Sequence, residues 1–321
     1  MSKVKSFDVG NGDMFYIRHD SDNFTVIDCC LSDENQDTII EEIEKESIGK
    51  GIRRFISTHP DEDHIKGLKA LRKQWGIPNF YCVKNEATKS SPSESFKEYQ
   101  RLKSSDDAYF IKKGCRRRWM NIGDEERDAA GISILWPDTS NANFREALQQ
   151  AKVGGSPNNI SSVILYQEKG GPSFLWMGDL KSDFMEKISD EIDLPEKVNV
   201  LFAPHHGRNS GSVPKVLLDK ISPDLIVIGS ADSSQLHYYP GYMTITQNRS
   251  GDLTFECGRD YIDIYCSKVG RIEYLREKAE GLEAPFVLDP LQMLIDKNYV
   301  FTLSPSGKRV AANQLVTSSL R

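Results

Sequence analysis

Two short segments constrain this sequence more than any other feature. His59-Pro60-Asp61-Glu62-Asp63-His64 follows the apolar run Phe55-Ile56-Ser57, and His205-His206-Gly207 follows Val198-Asn199-Val200-Leu201-Phe202. Four of the six histidines therefore sit at the ends of two predicted strands, about 140 residues apart in sequence. His59 and Asp61 are two apart, so extended chain puts both on one face. Asp63 and His64 follow on the turn into the next helix and can face the same cavity. Imidazole and carboxylate together, both deprotonated near neutral pH, are the donor set of a divalent cation site. The alternative, an acidic turn with a helix-capping Asp, explains one carboxylate but not the coincidence of ligand types at fixed spacing.

The elements around these segments alternate. Val4 to Ile17 reads as two strands about a Gly10-Asn11-Gly12-Asp13 turn, and Phe24 to Asp28 as a third strand. Thr38 to Lys45 and Ile65 to Trp75 have helical spacing. A second series follows: a strand over Ile132 to Trp136, a strand pair over Ser162–Tyr166 and Ser173–Met177, a helix near Phe184, the strand before His205, a helix over Pro214 to Ile221 and a strand over Asp224 to Ile228. Two α/β halves that each begin with strand pairs predict an α/β fold, a four-layer αββα sandwich rather than a doubly wound parallel sheet. Residues 84–128 are polar and resist assignment; they read as an insertion or lid. Arg271 to Glu283 reads as a charged helix, and Ala311 to Arg321 as a frayed tail.

Thr58-His59-Pro60-Asp61-Glu62-Asp63-His64-Ile65-Lys66-Gly67 resembles the second motif of the metallo-β-lactamase superfamily, H-x-H-x-D-H, with Asp61 in place of the second His. That variant is similar to the nuclease-domain branch typified by the DNA-uptake protein ComEC and its soluble relatives. Asp8-Val9-Gly10-Asn11-Gly12-Asp13, Val26-Ile27-Asp28, Asn159 to Val163, Met177-Gly178-Asp179 and Pro204-His205-His206-Gly207 resemble further motifs of that branch, in order. The resemblance spans residues 4–267, with 84–150 poorly matched. It implies one hydrolase domain over residues 1–270, with 84–130 as the insertion, and an extension of unknown role over 271–321.

The resemblance implies roles. His59 and Asp61 would bind a first metal, Asp63 and His64 a second, joined by His205 or His206, with Asp179 bridging and Asp28 orienting the ligands. Asp13 and Asn159 would stand behind them. No His lies between His64 and His205, so Asn159, Ser161, Ser162 or water would replace the usual third imidazole. Arg208 suits a phosphate, and Lys181 and Ser210 are further substrate contacts. Asp63 and His237 are the candidate catalytic groups; His237 reads equally as an ordinary loop histidine. His19 lies in a polar turn and is assigned no chemistry. Replacing an imidazole by Asp61 hardens the site toward Mn²⁺ or Mg²⁺, although Zn²⁺ also binds such ligands. Two divalent ions are expected.

The expected activity is hydrolysis of phosphodiester bonds of DNA by metal-activated water. Net charge of −6 excludes a dedicated DNA-coating protein, so nucleic acid must be held locally. Lys112, Lys113 and Arg116 to Arg118 either track such a backbone or form a solvated loop. The competing readings are a small-molecule metallohydrolase acting on a cyclic nucleotide, a phosphocholine ester or a lactone, and a non-enzymatic binding module. A protein partner would meet the insertion or the C-terminal extension. No secretory signal and no apolar run of 18 residues is present, and the six cysteines form no C-x-x-C pair. The expected setting is a reducing cytoplasm, away from membranes.

Overall fold

The computed structural model describes residues 1–168, 170–282 and 285–304. The first half runs β1 (Ser2–Ser6), β2 (Phe15–Arg18), β3 (Asn23–Ile27), β4 (Cys29–Cys30), α1 (Gln36–Glu46), β5 (Ile52–Ser57), α2 (Glu62–Ile65), α3 (Leu68–Gln74), β6 (Phe80–Val83), α4 (Glu94–Lys103) and β7 (Ala108–Ile111). The second runs β8 (Ile132–Trp136), α5 (Ala142–Lys152), β9 (Val163–Gln167), β10 (Ser173–Trp176), α6 (Ser182–Lys187), β11 (Val200–Phe202), α7 (Lys215–Ile221), β12 (Leu225–Ile228) and β13 (Met243–Thr246). The chain then returns through α8 (Gln247–Ser250), β14 (Leu253–Cys257), β15 (Ile262–Cys266), α9 (Ile272–Glu280), β16 (Phe286–Val287), α10 (Pro290–Ile295) and β17 (Tyr299–Leu303).

All of these strands except β4 form two mixed sheets, ordered β16-β17-β15-β14-β1-β2-β3-β5-β6-β7 and β13-β12-β11-β10-β9-β8. The period of two decides which side chains meet between them. Phe15 of β2 points across to Trp176 and Phe202, with ring centroids 5.9 and 4.9 Å away. Phe255 of β14 meets Phe174 and Phe202 in the same layer. The next residue of β2, Tyr16, faces the other way and donates to Glu42 Oε1 of α1 at 3.0 Å. On the far side of the second sheet, Trp136 packs edge-on against Phe144 of α5 and Phe184 of α6. Helix, sheet, sheet, helix is thus the order of layers, as expected. Each large side chain fully buried between them contributes about 1.5–3 kcal/mol.

The segment expected as an insertion is built into the first sheet. β7 pairs in parallel with β6, and the carbonyl of Trp119 accepts from Nη2 of the buried Arg54 at 3.0 Å. Residues beyond 270 also join that sheet, since β17 pairs antiparallel with β15. The helix expected from Arg271 is α9; the tail from Ala311 lies outside the described residues. All six cysteines are free and buried. Among the described residues no helix is long and apolar enough to cross a membrane.

Candidate metal centre

Four strands end at one rim of the sandwich. Asp28 follows β3, Thr58 and His59 follow β5, Asp179 follows β10, and His205 and His206 follow β11. The backbone bends sharply at each end. Asp28, His205 and His206 adopt φ of 56°, 55° and 56°, the left-handed region that costs a side-chain-bearing residue about 1–2 kcal/mol. Gly178 has φ of 50°, and a Cβ there would lie 2.7 Å from Ser161 Cβ. That close approach lets Ser161 Oγ accept from Asp179 N at 3.0 Å.

Asp179 is the hub. Its Oδ1 lies 2.9 Å from His64 Nε2, and its Oδ2 lies 3.9, 3.7 and 3.7 Å from Nε2 of His59, His205 and His206. His206 Nε2 is also 3.2 Å from Asp63 Oδ2, and its Nδ1 is 3.1 Å from Asp13 Oδ1. Asp13, His64, Asp179 and His206 offer ligand atoms all within 4.8 Å of one another. Asp13, expected behind the ligands, therefore offers a ligand atom of its own. Its loop is fastened there by its own N–H, which donates to Asp63 O at 3.1 Å.

The other ring nitrogen of each His is occupied. His64 Nδ1 lies 2.8 Å from Asp28 Oδ2. Thr58 Oγ1 donates to the same carboxylate oxygen at 2.6 Å and lies 3.1 Å from His59 Nδ1. Ser210 Oγ lies 2.8 Å from His205 Nδ1. These contacts direct Nε2 of all three rings toward Asp179.

Charge balance within the centre is internal. Burial alone would raise Asp179, but His64 and His206 hold its carboxyl well below the usual range. Burial likewise opposes protonation of His64 and His206, yet Asp179 and Asp28 drive His64 well up, and Asp13 with Asp179 push His206 up to about 10. His59 is driven down to about 4 by burial and by His64. Asp63, despite burial, is held at about 2 by its hydrogen bond with His206.

A divalent cation fits this donor set. Nε2 of His59 is buried with no hydrogen-bond partner among the described residues, and the 2.9 Å contact of His64 Nε2 with Asp179 Oδ1 is not aligned as a hydrogen bond, which leaves both atoms free to turn to an ion. Buried polar atoms are normally satisfied, and mixed imidazole and carboxylate donors suit Zn²⁺ or Mn²⁺.

The model of the Metallo-beta-lactamase superfamily matches residues 7–227, which is 221 of the 321 residues. The chain belongs to the metallo-beta-lactamase superfamily. A curated relative is ComE operon protein 3 of Bacillus subtilis (strain 168), 24% identical over 194 residues. The match covers 59% of this chain but only 22% of that protein, so the chain spans about a fifth of the relative's length. Among solved structures, a mutant of the CmlA beta-hydroxylase aligns with a TM-score of 0.48 and 14% identity, covering 78% of this chain and 53% of that one. The diiron beta-hydroxylase CmlA of Streptomyces venezuelae aligns with a TM-score of 0.43 and 14% identity, covering 71% and 44%.

Within the superfamily chain, the remaining expected site residues lie around the hub. Asp61 caps α2, accepting from Glu62 N, and its Oδ1 pairs with Lys89 Nζ. Asn158, not Asn159, reaches Asp179, with Nδ2 3.4 Å from Oδ2. Asn159 Oδ1 instead accepts from Lys181 N at 3.2 Å, and both residues line a hollow of about 240 Å³ with Gln150, Asp183 and Lys187. Arg208 is half-buried, with Nη2 donating to Asn11 Oδ1 and Nε without a partner among the described residues. His237 is half-buried with its ring edge-on to Tyr239 at 4.6 Å, outside the groups around Asp179. Its N–H donates to Gly207 O at 2.8 Å. Lys89 and Asn158 escaped the sequence reading.

Proposed function

We propose that this protein is a metal-dependent phosphodiesterase that cleaves nucleic acid, DNA first among substrates. The observation that carries the reading is the convergence of Nε2 of His59, His64, His205 and His206 on the Asp179 carboxylate, with Arg208 on the same loop as two of them.

In this reading Asp13, Asp63, His64, Asp179 and His206 hold a divalent ion. Such an ion supplies a Lewis acid and lowers the pKa of water. Asp28, Thr58 and Ser210 keep the rings in the tautomer that leaves Nε2 bare. Asp63 is the open member of the cluster, its side chain 26% exposed against 2% for Asp179. Held ionised, it accepts a hydrogen bond from an entering water and aims it. Arg208, with Nε unspent, pairs with phosphate oxygens as a planar donor. The resemblance of the His59 to His64 segment and of the Asp8 to Asp13 turn to the nuclease-domain branch supports the choice of a nucleic-acid substrate.

The test incubates purified protein with plasmid, linear and single-stranded DNA in Mn²⁺, Mg²⁺ or Zn²⁺, and with chelator. DNA cleavage that chelator abolishes, and that Asp63→Ala lowers by more than about 100-fold, is the expected result. Turnover of bis-p-nitrophenyl phosphate without DNA cutting would move the substrate to a small phosphodiester. No turnover with any metal would overturn the enzymatic reading.

A further inference from the structure

Lys89 stands on the stretch between β6 and α4, where the sequence shows no helical spacing. Val83, Asn85 and Ala87 are buried while Lys84, Glu86 and Thr88 are exposed, the alternation of extended chain. That alternation brings Lys89 back to the inner side, where it is half-buried.

The stretch is tied down on both flanks. Asn85 Nδ2 donates to Tyr99 Oη of α4 at 2.8 Å. Thr88 donates from N to Ala151 O at 3.1 Å and from Oγ1 to Lys152 O at 2.8 Å, both at the end of α5. Beyond Lys89, Ser93 Oγ donates to Glu62 Oε2 at 2.5 Å and so fastens the loop to α2. Lys89 therefore reaches Asp61 from a fixed backbone, and its ammonium pairs with Oδ1. A loose surface lysine laid on a carboxylate has no such anchors.

The carboxylates of the centre differ in the partners that face them. Asp13, Asp63 and Asp179 surround His206, and Asp179 also faces His64. Asp61 has Lys89. A divalent ion placed at Asp61 would be repelled by the ammonium already there, so the two compete for one carboxylate.

We propose that Lys89 is the resident cation of the Asp61 side of the centre, so that the chain takes one divalent ion, held by Asp13, Asp63, His64, Asp179 and His206, rather than two. The inference rests on the metal-binding reading above. It assigns Asp61 to the ammonium side, where a fixed positive charge replaces a second ion.

Metal content separates the possibilities without any activity assay. Metal-free full-length protein is equilibrated by dialysis against Mn²⁺ or Zn²⁺, and bound metal per chain is measured by atomic emission. Co²⁺ is titrated in parallel and followed by its visible absorption. One equivalent in the wild type and a second, weaker equivalent in Lys89→Met are expected. Thermal melting checks that the variant is folded, and Lys89→Gln serves if Lys89→Met is not. Two equivalents in the wild type overturn the inference while leaving the metal site intact. A folded Lys89→Met that still holds one ion overturns it as well. No bound ion in the wild type removes the metal-binding reading, and this inference with it.

Discussion

The Asp28 carboxylate lies 2.8 Å from His64 Nδ1, and it is held there by a backbone conformation that only a few residue types tolerate. Its Oδ1 accepts from Thr58 N at 2.7 Å and its Oδ2 from Thr58 Oγ1 at 2.6 Å. One buried carboxylate therefore sets the orientation of His64 directly and of His59 through the threonine. Asp28→Ala removes both restraints without touching an Nε2 atom. Affinity for Mn²⁺ or Zn²⁺ is expected to fall by about 10–100-fold. Isothermal titration of the folded variant measures it; an unchanged dissociation constant would mean that packing alone orients the rings.

Gly178 is the hinge on which Asp179 hangs. A methyl group there would meet Ser161 Cβ and Oγ, each at 2.7 Å, and Thr58 Cβ at 3.1 Å, at a backbone φ of 50°. Both the strain and the clash oppose alanine, so Gly178→Ala is expected to cost about 2–3 kcal/mol. The displaced Asp179 would weaken metal binding as well. Urea unfolding of the metal-free protein isolates the first effect; a midpoint matching the wild type would contradict it.

Much of this rim was legible because its residues come in contiguous groups at the ends of apolar strands. His59 to His64, Asp179, and His205 with His206 each follow a run whose burial is evident from composition. Lys89 was not legible, since its place depends on a non-periodic loop pinned by Tyr99 and by the end of α5. Asn158 and Asn159 are adjacent, and only the short 3₁₀ turn over Asn158–Ile160 determines which amide faces Asp179. Asp13 sits in a glycine-flanked turn, where capping and metal binding look alike in sequence. The close pass of Gly12, whose Cβ would lie 2.6 Å from Asp63 O, makes it a neighbour of the ligand loop. β17 is buried at all five positions, so it carries no alternation to mark it as a strand.

His19 has a consequence for stability that its position in a turn did not suggest. Its ring is fully buried, with Nε2 2.8 Å from Thr25 Oγ1, and Tyr166 covers it edge-on. Burial first, and then the nearby Arg54 and Lys50 charges, hold its pKa well below the ordinary value. The folded chain therefore binds this proton less readily than the unfolded chain, whose His titrates near 6.5. Stability from this group is complete above about pH 6.5 and is lost as pH falls below it. His19→Gln keeps a polar group beside Thr25 but cannot take up the proton. Between pH 7 and pH 5.5 the wild type is expected to lose about 1 kcal/mol more than the variant. Chemical denaturation at both pH values checks this; parallel losses would place the acid sensitivity elsewhere.

The basic run Lys112 to Arg118 separates into engaged and free charges, which bears on how DNA would be held. Lys113 pairs with Asp193 and donates to Glu191 O, Arg118 pairs with Asp124 and Glu126, and Arg117 lies over the Tyr109 ring. Lys112 and Arg116 are exposed and form no ion pair among the described residues. A phosphate contact releases counterions only where the protein cation is not already neutralised, with a slope of about −0.9 per contact in the logarithm of affinity against the logarithm of salt. Replacing Lys112 and Arg116 together with alanine is therefore expected to flatten that slope by about 2 for duplex DNA. Arg118→Ala should leave it nearly unchanged, because its charge is spent on Asp124. Fluorescence anisotropy in the presence of chelator, between 50 and 200 mM salt, reads binding without cleavage. An unaltered slope in the double variant would mean that this face does not meet the backbone, and that nucleic acid is gripped at the metal centre and Arg208 alone.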